Sequence, residues 1–426
     1  MAADRKNAAP PKRAVVLSGG GARGAYEAGA LRFILDDLPG RIGKTPRFDI
    51  ICGTSVGAIH ACFVAATAEQ KEGRGPRLVK IWEDLQVDEV FRFSTRELFS
   101  MPRKLLGVRH VAKQLREGRR PDRLFGLLDT GPLEQLVLQA IPWEGIRRNV
   151  QSGLVEAVCV AATQLATGRA VVFCEKHGED LPPPLADDNI RLQPIRLSPV
   201  HALASAAIPL LFPSVRVGSR YYADGGLRLN TPLAPAIRLG ANRVLVIGLS
   251  HGVPPSVSEA LAQQRTAGFG NPMFLFGKVL NALMLSPVDA DLARVHFIND
   301  LIDYGREAYG DEFLGRLNEV ATSRGARPIQ HIEDLVIRPS RDLGVMAGEL
   351  ISDPNSELEL SGFLRMFVRA SGTGSDFKEA DLLSYLLFDN AFTTPLAELG
   401  YRDAQAKADE LARFFDDGTP AEGAPG

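Results

Sequence analysis

Apolar and polar positions come in alternating blocks along this chain. Ala14-Val15-Val16-Leu17 is a short apolar run that enters a glycine cluster, and a helix-like stretch follows from about Ala25 to Leu38. Phe48–Cys52 repeats the scheme with an apolar run, a Gly-flanked turn and a small-residue helix to about Thr67. Further strand-like runs fall at Val155–Ala161, Ala170–Cys174, Tyr221–Ala223, Val244–Leu249 and Asp334–Arg338, with helix-like segments between several of them. The alternation predicts an α/β protein, with a mostly parallel sheet and helices packed on its faces.

Two stretches depart from this rhythm. Residues 69–150 read as a long, mainly helical insertion, a candidate lid or groove within a catalytic domain spanning 13–250. The Gly/Pro/Ser-rich passage SHGVPPS after Leu249 marks the best boundary, and 251–417 read as a mainly helical C-terminal region packed on the core. The ends, 1–12 and 418–426, have the Pro, Gly, Ala and charge content of disordered tails.

Composition narrows the class. Lys and Arg number 49 against 51 Asp and Glu, a net charge of −2 that offers no whole-chain electrostatic footprint for nucleic acid. With 45% hydrophobic and 23% charged residues, the 426-residue chain is of ordinary globular make-up and long enough to bury a full core. The N-terminus has no apolar core of a signal peptide. The most apolar later stretch, Met273–Leu285, is broken by Gly277, Lys278 and Asn281 and falls short of the about 18 apolar residues of a membrane span. Cys52, Cys62, Cys159 and Cys174 lie in apolar runs without zinc spacing, so buried free thiols and a soluble, reducing, cytoplasmic setting are expected, with no metal and no cofactor.

Three glycine-marked turns carry the candidate chemistry. Gly53-Thr54-Ser55-Val56-Gly57 follows an apolar run and opens a helix, the G-x-S-x-G arrangement that holds a serine Oγ clear of the backbone on a sharp bend. Beneath such a serine, the helix N-terminus offers N–H groups and partial positive charge. Gly19-Gly20-Gly21-Ala22-Arg23-Gly24 also lies between strand and helix and matches G-x-G-x-x-G through Gly19, Gly21 and Gly24. A dinucleotide site wants an acidic residue at the end of the second strand, where this chain has Cys52 and the serine turn. Beside that serine, the glycines read better as an oxyanion hole, since residues without Cβ let several N–H groups converge on one oxygen. The third turn is Asp224-Gly225-Gly226, a strand-end carboxylate with the potential to serve as base for a weak nucleophile. The residues alone leave open a Ser-Asp dyad or a triad completed by His251, His296 or His331. His60, five residues beyond the serine, reads as a packing or capping residue.

Together GGGARG, GTSVG and DGG, in this order, resemble the patatin-like phospholipase family, in the manner of its bacterial members. LLDTGPLEQL (127–136), VAATQLATGRAVVF (160–173), SAAIPLLFPSV (205–215), YYADGGLRLNTPLAPAIRLGANRVLVIG (221–248), DLVIRPSRDLG (334–344) and LLFDNAFTTPLAELGYRDA (386–404) extend the likeness over about residues 13–415. The resemblance implies a three-layer α/β/α fold and a serine acyl hydrolase that cleaves phospholipid, lysophospholipid or simpler lipid esters with a Ser-Asp dyad. It assigns Ser55 as nucleophile, Asp224 as general base and acid, and the N–H groups of Gly20, Gly21 and Val56 as oxyanion hole. Gly19, Ala22, Arg23, Gly24, Gly53, Gly57, Gly225 and Gly226 support those motifs, Arg23 by fixing the loop. Gln164 stands where the family pattern leads one to expect aspartate.

An acyltransferase using the same pair, and a non-catalytic lipid- or nucleotide-binding module, are the competing readings. Ala58, Ala61, Ala65 and Ala66 with Phe91, Phe93 and Phe99 read as groove walls or as plain core. Residues 103–123 hold eight basic side chains against Glu117 and Asp122, either a solvated surface or a basic amphipathic helix making peripheral contact with anionic lipid.

Overall fold

The computed structural model describes residues 11–91, 121–124, 126, 128–178, 181–182, 189–252, 288–356, 358 and 381–417. Phe93, Phe99, Met273–Leu285 and nearly all of the basic stretch 103–123 lie outside them.

Among the described residues nine strands form one mixed sheet: β1 (Arg13–Leu17), β2 (Ile50–Thr54), β3 (Ala157–Gln164), β4 (Arg169–Lys176), β5 (Ile190–Pro194), β6 (Val215–Val217), β7 (Arg220–Asp224), β8 (Arg243–Ile247) and β9 (Glu333–Ile337). The main path runs β5-β4-β3-β2-β1-β8-β9, with β7 pairing β3 and β6. The central pairs β3-β2, β2-β1, β1-β8 and β8-β9 are parallel, whereas β4 and β7 run antiparallel to β3. Seven strands were legible as apolar runs. β5, whose five residues are at best half-buried, and the three-residue β6 were not.

Helices of six residues or more are α1 (Gly24–Arg32), α2 (Val56–Ala66), α3 (Arg74–Glu83), α4 (Gly131–Ala140), α5 (Trp143–Gln151), α6 (Pro199–Ser205), α7 (Leu233–Arg238), α8 (Val288–Tyr309), α9 (Phe313–Ser323), α10 (Leu343–Ser352), α11 (Asp381–Leu386), α12 (Asn390–Ala406) and α13 (Ala408–Phe415). The stretch expected as one helix from Ala25 to Leu38 is α1 followed by a π-helical turn, Phe33–Asp37.

Helices cover both sheet faces, so the central strands are apolar on both, as parallel strands require. Successive residues serve opposite cores. Val15, Leu17, Ile51, Val158 and Val160 face the layer of α1 and α2, while Ala14, Val16, Cys52, Cys159 and Cys174 face that of α7 and α8. All four cysteines are buried and free. β9 bonds in parallel with β8, and α12 packs against α1 so closely that a Cβ on Gly29 would lie 1.8 Å from the Ala397 carbonyl. Two separate glycines, Gly29 and Gly400, allow that approach, because the Gly400 position meets the Tyr26 carbonyl in the same way.

Candidate active site

Ser55 sits between the end of β2 and the start of α2 with φ 55° and ψ −123°, a left-handed conformation rare for a side chain with Cβ. The bend is held from several sides. The Ser55 N–H donates to Ser205 Oγ at 2.8 Å, Ser205 donates to the Ala161 carbonyl, and Thr54 Oγ1 donates to the Leu229 carbonyl at 2.7 Å. Glycine is required on both sides of the turn. A Cβ on Gly53 would meet the Gly57 carbonyl at 2.1 Å, and one on Gly57 would meet the Leu17 carbonyl at 2.5 Å.

Sheet register explains how residue 224 reaches residue 55. β2 ends with Thr54 opposite Ala161 of β3, while β7 ends with Asp224 opposite Ala162. The two strands therefore abut head to head along β3, and the residues at their tips touch. Ser55 Oγ donates to Asp224 Oδ2 at 2.6 Å, and the Gly226 N–H donates to Oδ1 at 2.7 Å. Asp224 is completely buried. Burial pushes its carboxyl from an ordinary value near 3.8 up to about 7, against the opposing pull of the Ser55 and Gly226 hydrogen bonds.

The glycine loop lies over the same point. A Cβ on Gly19 would fall 3.1 Å from that of Ser55. The Gly19 N–H is used by the Asn230 carbonyl and the Arg23 N–H by the Gly20 carbonyl, whereas those of Gly20, Gly21 and Val56 have no hydrogen-bond partner among the described residues. Of these, Gly21 and Val56 line the same cleft as Ser55. Asn230 Nδ2 also donates to the Gly19 carbonyl at 3.3 Å, while its buried Oδ1 has no partner among the described residues.

None of the six described histidines bonds to Ser55 or Asp224. His251 Nδ1 is 2.9 Å from the Pro339 carbonyl, His296 Nε2 is 2.8 Å from Asp334, and His331 lies 3.7 Å from Asp303. His177 Nδ1 is 2.8 Å from the Val150 carbonyl, and His201 Nδ1 is 3.0 Å from Ser198 Oγ. His60 is a connector. Trp82 Nε1 donates to its Nε2 at 3.0 Å, which leaves the proton of the neutral ring on Nδ1, 2.9 Å from Glu27 Oε2. Burial depresses the His60 ring to about 3 and raises the Glu27 carboxyl well above its usual range. Glu27 Oε1 in turn accepts from the Ser18 N–H at 2.7 Å, next to the glycine loop.

Several residues at the site lie far from its motifs in sequence. Arg23 is buried, with Nε donating to Ser384 Oγ at 2.7 Å and its guanidinium 4.4 Å from the centre of the Tyr385 ring. Gly21 lies against the Tyr385 carbonyl, which a Cβ would meet at 2.3 Å. The glycine loop is therefore braced by α11. Nothing in the DLLSYL sequence signals this, since one serine and one tyrosine in an apolar helix read as core. Gln164 ends β3 half-buried and accepts from Thr167 at 3.2 Å, away from the Ser55–Asp224 contact.

An apolar cleft opens at Ser55, enclosing about 720 Å³ of empty space with its mouth included. Its walls are Val56, Ile59, His60 and Phe63 along one stripe of α2, facing Ile81, Trp82, Val137, Ile141, Phe212 and Phe388. Among the described residues no ionised side chain lines it, since His60 stays neutral. Of the residues that read as groove walls or plain core, Ala58, Ala61, Ala65 and Ala66 are core and do not line the cleft, and neither does Phe91, which packs against Phe212 and Phe388. Alanine fills the α2 positions pressed against neighbouring elements, leaving the larger side chains to face the space.

The fold and this site define a class: an α/β/α protein whose strand-end serine and aspartate are joined beneath a glycine loop. Residues 15–237 match the model of the patatin-like phospholipase family, and the chain belongs to that family. It is 30% identical over 225 residues to a cGAMP-activated phospholipase of Pseudomonas aeruginosa (strain BWHPSA011 / Pa011), across 52% of this chain and 55% of that one. The chain thus spans about half the length of this curated relative. Two solved structures align with 95% of the chain at 13% identity. One is VipD from Legionella pneumophila, with 68% of that chain covered and a TM-score of 0.35. The other is human GIVD cytosolic phospholipase A2 in complex with methyl gamma-linolenyl fluorophosphonate, with 59% covered and a TM-score of 0.38.

Proposed function

We propose that this protein hydrolyses carboxylic esters of lipids through a covalent acyl-enzyme on Ser55, with Asp224 as the only general base and acid. The observation that carries the proposal is the 2.6 Å hydrogen bond from Ser55 Oγ to a fully buried carboxylate at the mouth of an apolar cleft. A carboxylate near 3.8 is a poor base for an alcohol, and desolvation that lifts Asp224 to about 7 makes it a better one at neutral pH.

In the first step Ser55 Oγ attacks the ester carbonyl carbon while Asp224 takes the hydroxyl proton. The carbonyl oxygen becomes an oxyanion facing the unused N–H groups of Gly20, Gly21 and Val56, each worth roughly 3 kcal/mol to the transition state. As the intermediate collapses, the C–O bond to the alcohol breaks and Asp224 returns the proton to the departing oxygen. Water then attacks the acyl-enzyme with the same carboxylate as base, releasing the fatty acid and restoring Ser55. The cleft selects an acyl chain because each methylene moved from water into it contributes about 0.8 kcal/mol.

A fluorophosphonate probe and an ester panel, run on wild type and Ser55→Ala, test the proposal. Wild type should label at Ser55 and turn over lipid esters, and the alanine variant should do neither. Wild-type turnover by a folded Ser55→Ala protein would refute the mechanism.

A further inference from the structure

α8 is a 22-residue helix with two apolar seams on opposite sides. The inner one runs through Val288, Leu292 and Val295, buried against the sheet, to the buried Ile302, and Asn299 closes it by exchanging two hydrogen bonds with the Ile332 backbone. Among the described residues nothing covers the outer one: Phe297, Leu301 and Tyr304 are 62%, 50% and 63% exposed, with Ile298 at 44% and Tyr309 at 79% on its flank.

A surface helix ordinarily turns polar residues outward. Here Phe297, Leu301, Tyr304 and Ala308 recur at alternating intervals of four and three, the period that seats side chains as knobs in the holes of another helix. The neighbouring α9 has the same deficit of cover. It packs on α8 through Phe313, which fills the space left by Gly305, yet it buries none of its own residues fully.

We infer that the outer seam of α8 is a homodimer interface, packing against the same seam of a second copy about a two-fold axis. The spacing calls for a helix as partner, and a seam that lies along one helix is met by its own duplicate in a closed, isologous contact. At about 150–250 Å² for a full aromatic side chain, the exposed parts of Phe297, Leu301 and Tyr304 hold on the order of 350 Å². That is a little under half of the roughly 800 Å² each partner buries in a standard interface. An anionic membrane is the poorer occupant, because α8 carries five acidic side chains and only two basic ones. α8 belongs to the layer opposite α2, so pairing leaves the cleft open.

Sedimentation velocity and light scattering on the full chain across the micromolar range test the interface. The wild type should reach twice the 46.1 kDa chain mass and should not dissociate when salt is raised, as befits an apolar seam. Leu301→Asp and Tyr304→Asp, both at exposed positions, should each weaken dimerisation at least about 100-fold. Their circular dichroism and ester hydrolysis should be unchanged. A wild type that stays monomeric overturns the inference, as does a dimer that survives both substitutions. So does a monomer that binds phosphatidylcholine vesicles through Leu301 and Tyr304, which would give the seam to a lipid surface.

Discussion

Asp224→Asn separates the chemistry of the site from its energetic cost. The substitution preserves shape and hydrogen bonding, since the amide oxygen can accept from the Gly226 N–H and the amide nitrogen can donate to Ser55 Oγ. It removes only the charge. Lifting the buried carboxyl from near 3.8 to about 7 costs the ionised native state about 4 kcal/mol relative to the unfolded chain. Below pH about 4 both states hold the proton and the carboxyl imposes no such cost. Between about 4 and 7 the unfolded chain releases the proton while the native state keeps it, so wild-type stability falls as pH rises. Above about 7 the full cost is present. Asparagine does not titrate, so the stability of Asp224→Asn relative to wild type should improve by about 4 kcal/mol from pH 4 to pH 8, measured by urea unfolding at each pH. Its ester hydrolysis should fall by at least about 100-fold, and wild-type turnover should rise with pH through about 7. A stability difference that does not change with pH would refute the burial argument, and near-wild-type turnover would refute the role of the carboxylate.

Other consequences follow from particular contacts. Alanine at His251, His296 or His331 should leave turnover within about two-fold of wild type, because each bonds elsewhere; loss as complete as that of Ser55→Ala would demand a triad. Ser384→Ala should lower kcat about ten-fold with little change in KM, since it loosens the brace on the glycine loop and touches no substrate. Ser384→Thr, which keeps the acceptor, should restore most of the loss, and a change confined to KM would place Ser384 in substrate binding instead. The α2 stripe from Ser55 to Phe63 is about 12 Å long, so Phe63→Ala should shift preference toward longer acyl chains and Ile59→Trp toward shorter ones, read as kcat/KM on an ester series. Unchanged chain preference in both would show that the acyl group lies elsewhere.

The strands and turns of the candidate site were legible because their causes are local. Apolar runs of five residues become strands wherever both faces are covered, and a glycine-flanked serine after such a run becomes a bend because only glycine tolerates carbonyls at 2.1–2.5 Å from its Cβ position. Composition and spacing thus determined an α/β sheet and three glycine turns at strand ends. The motifs as a set named the family. What only tertiary structure decided is pairing across long separations. Asp224 reaches Ser55 because β2 and β7 end on adjacent residues of β3, a register that no stretch of sequence encodes by itself. Arg23 finds Ser384 and Tyr385 some 361 and more positions away for the same reason. The titration of Asp224 is likewise a tertiary property, since a carboxylate in an exposed Asp-Gly turn is an ordinary acid and becomes a base near neutrality only when the sheet and helices shut water out.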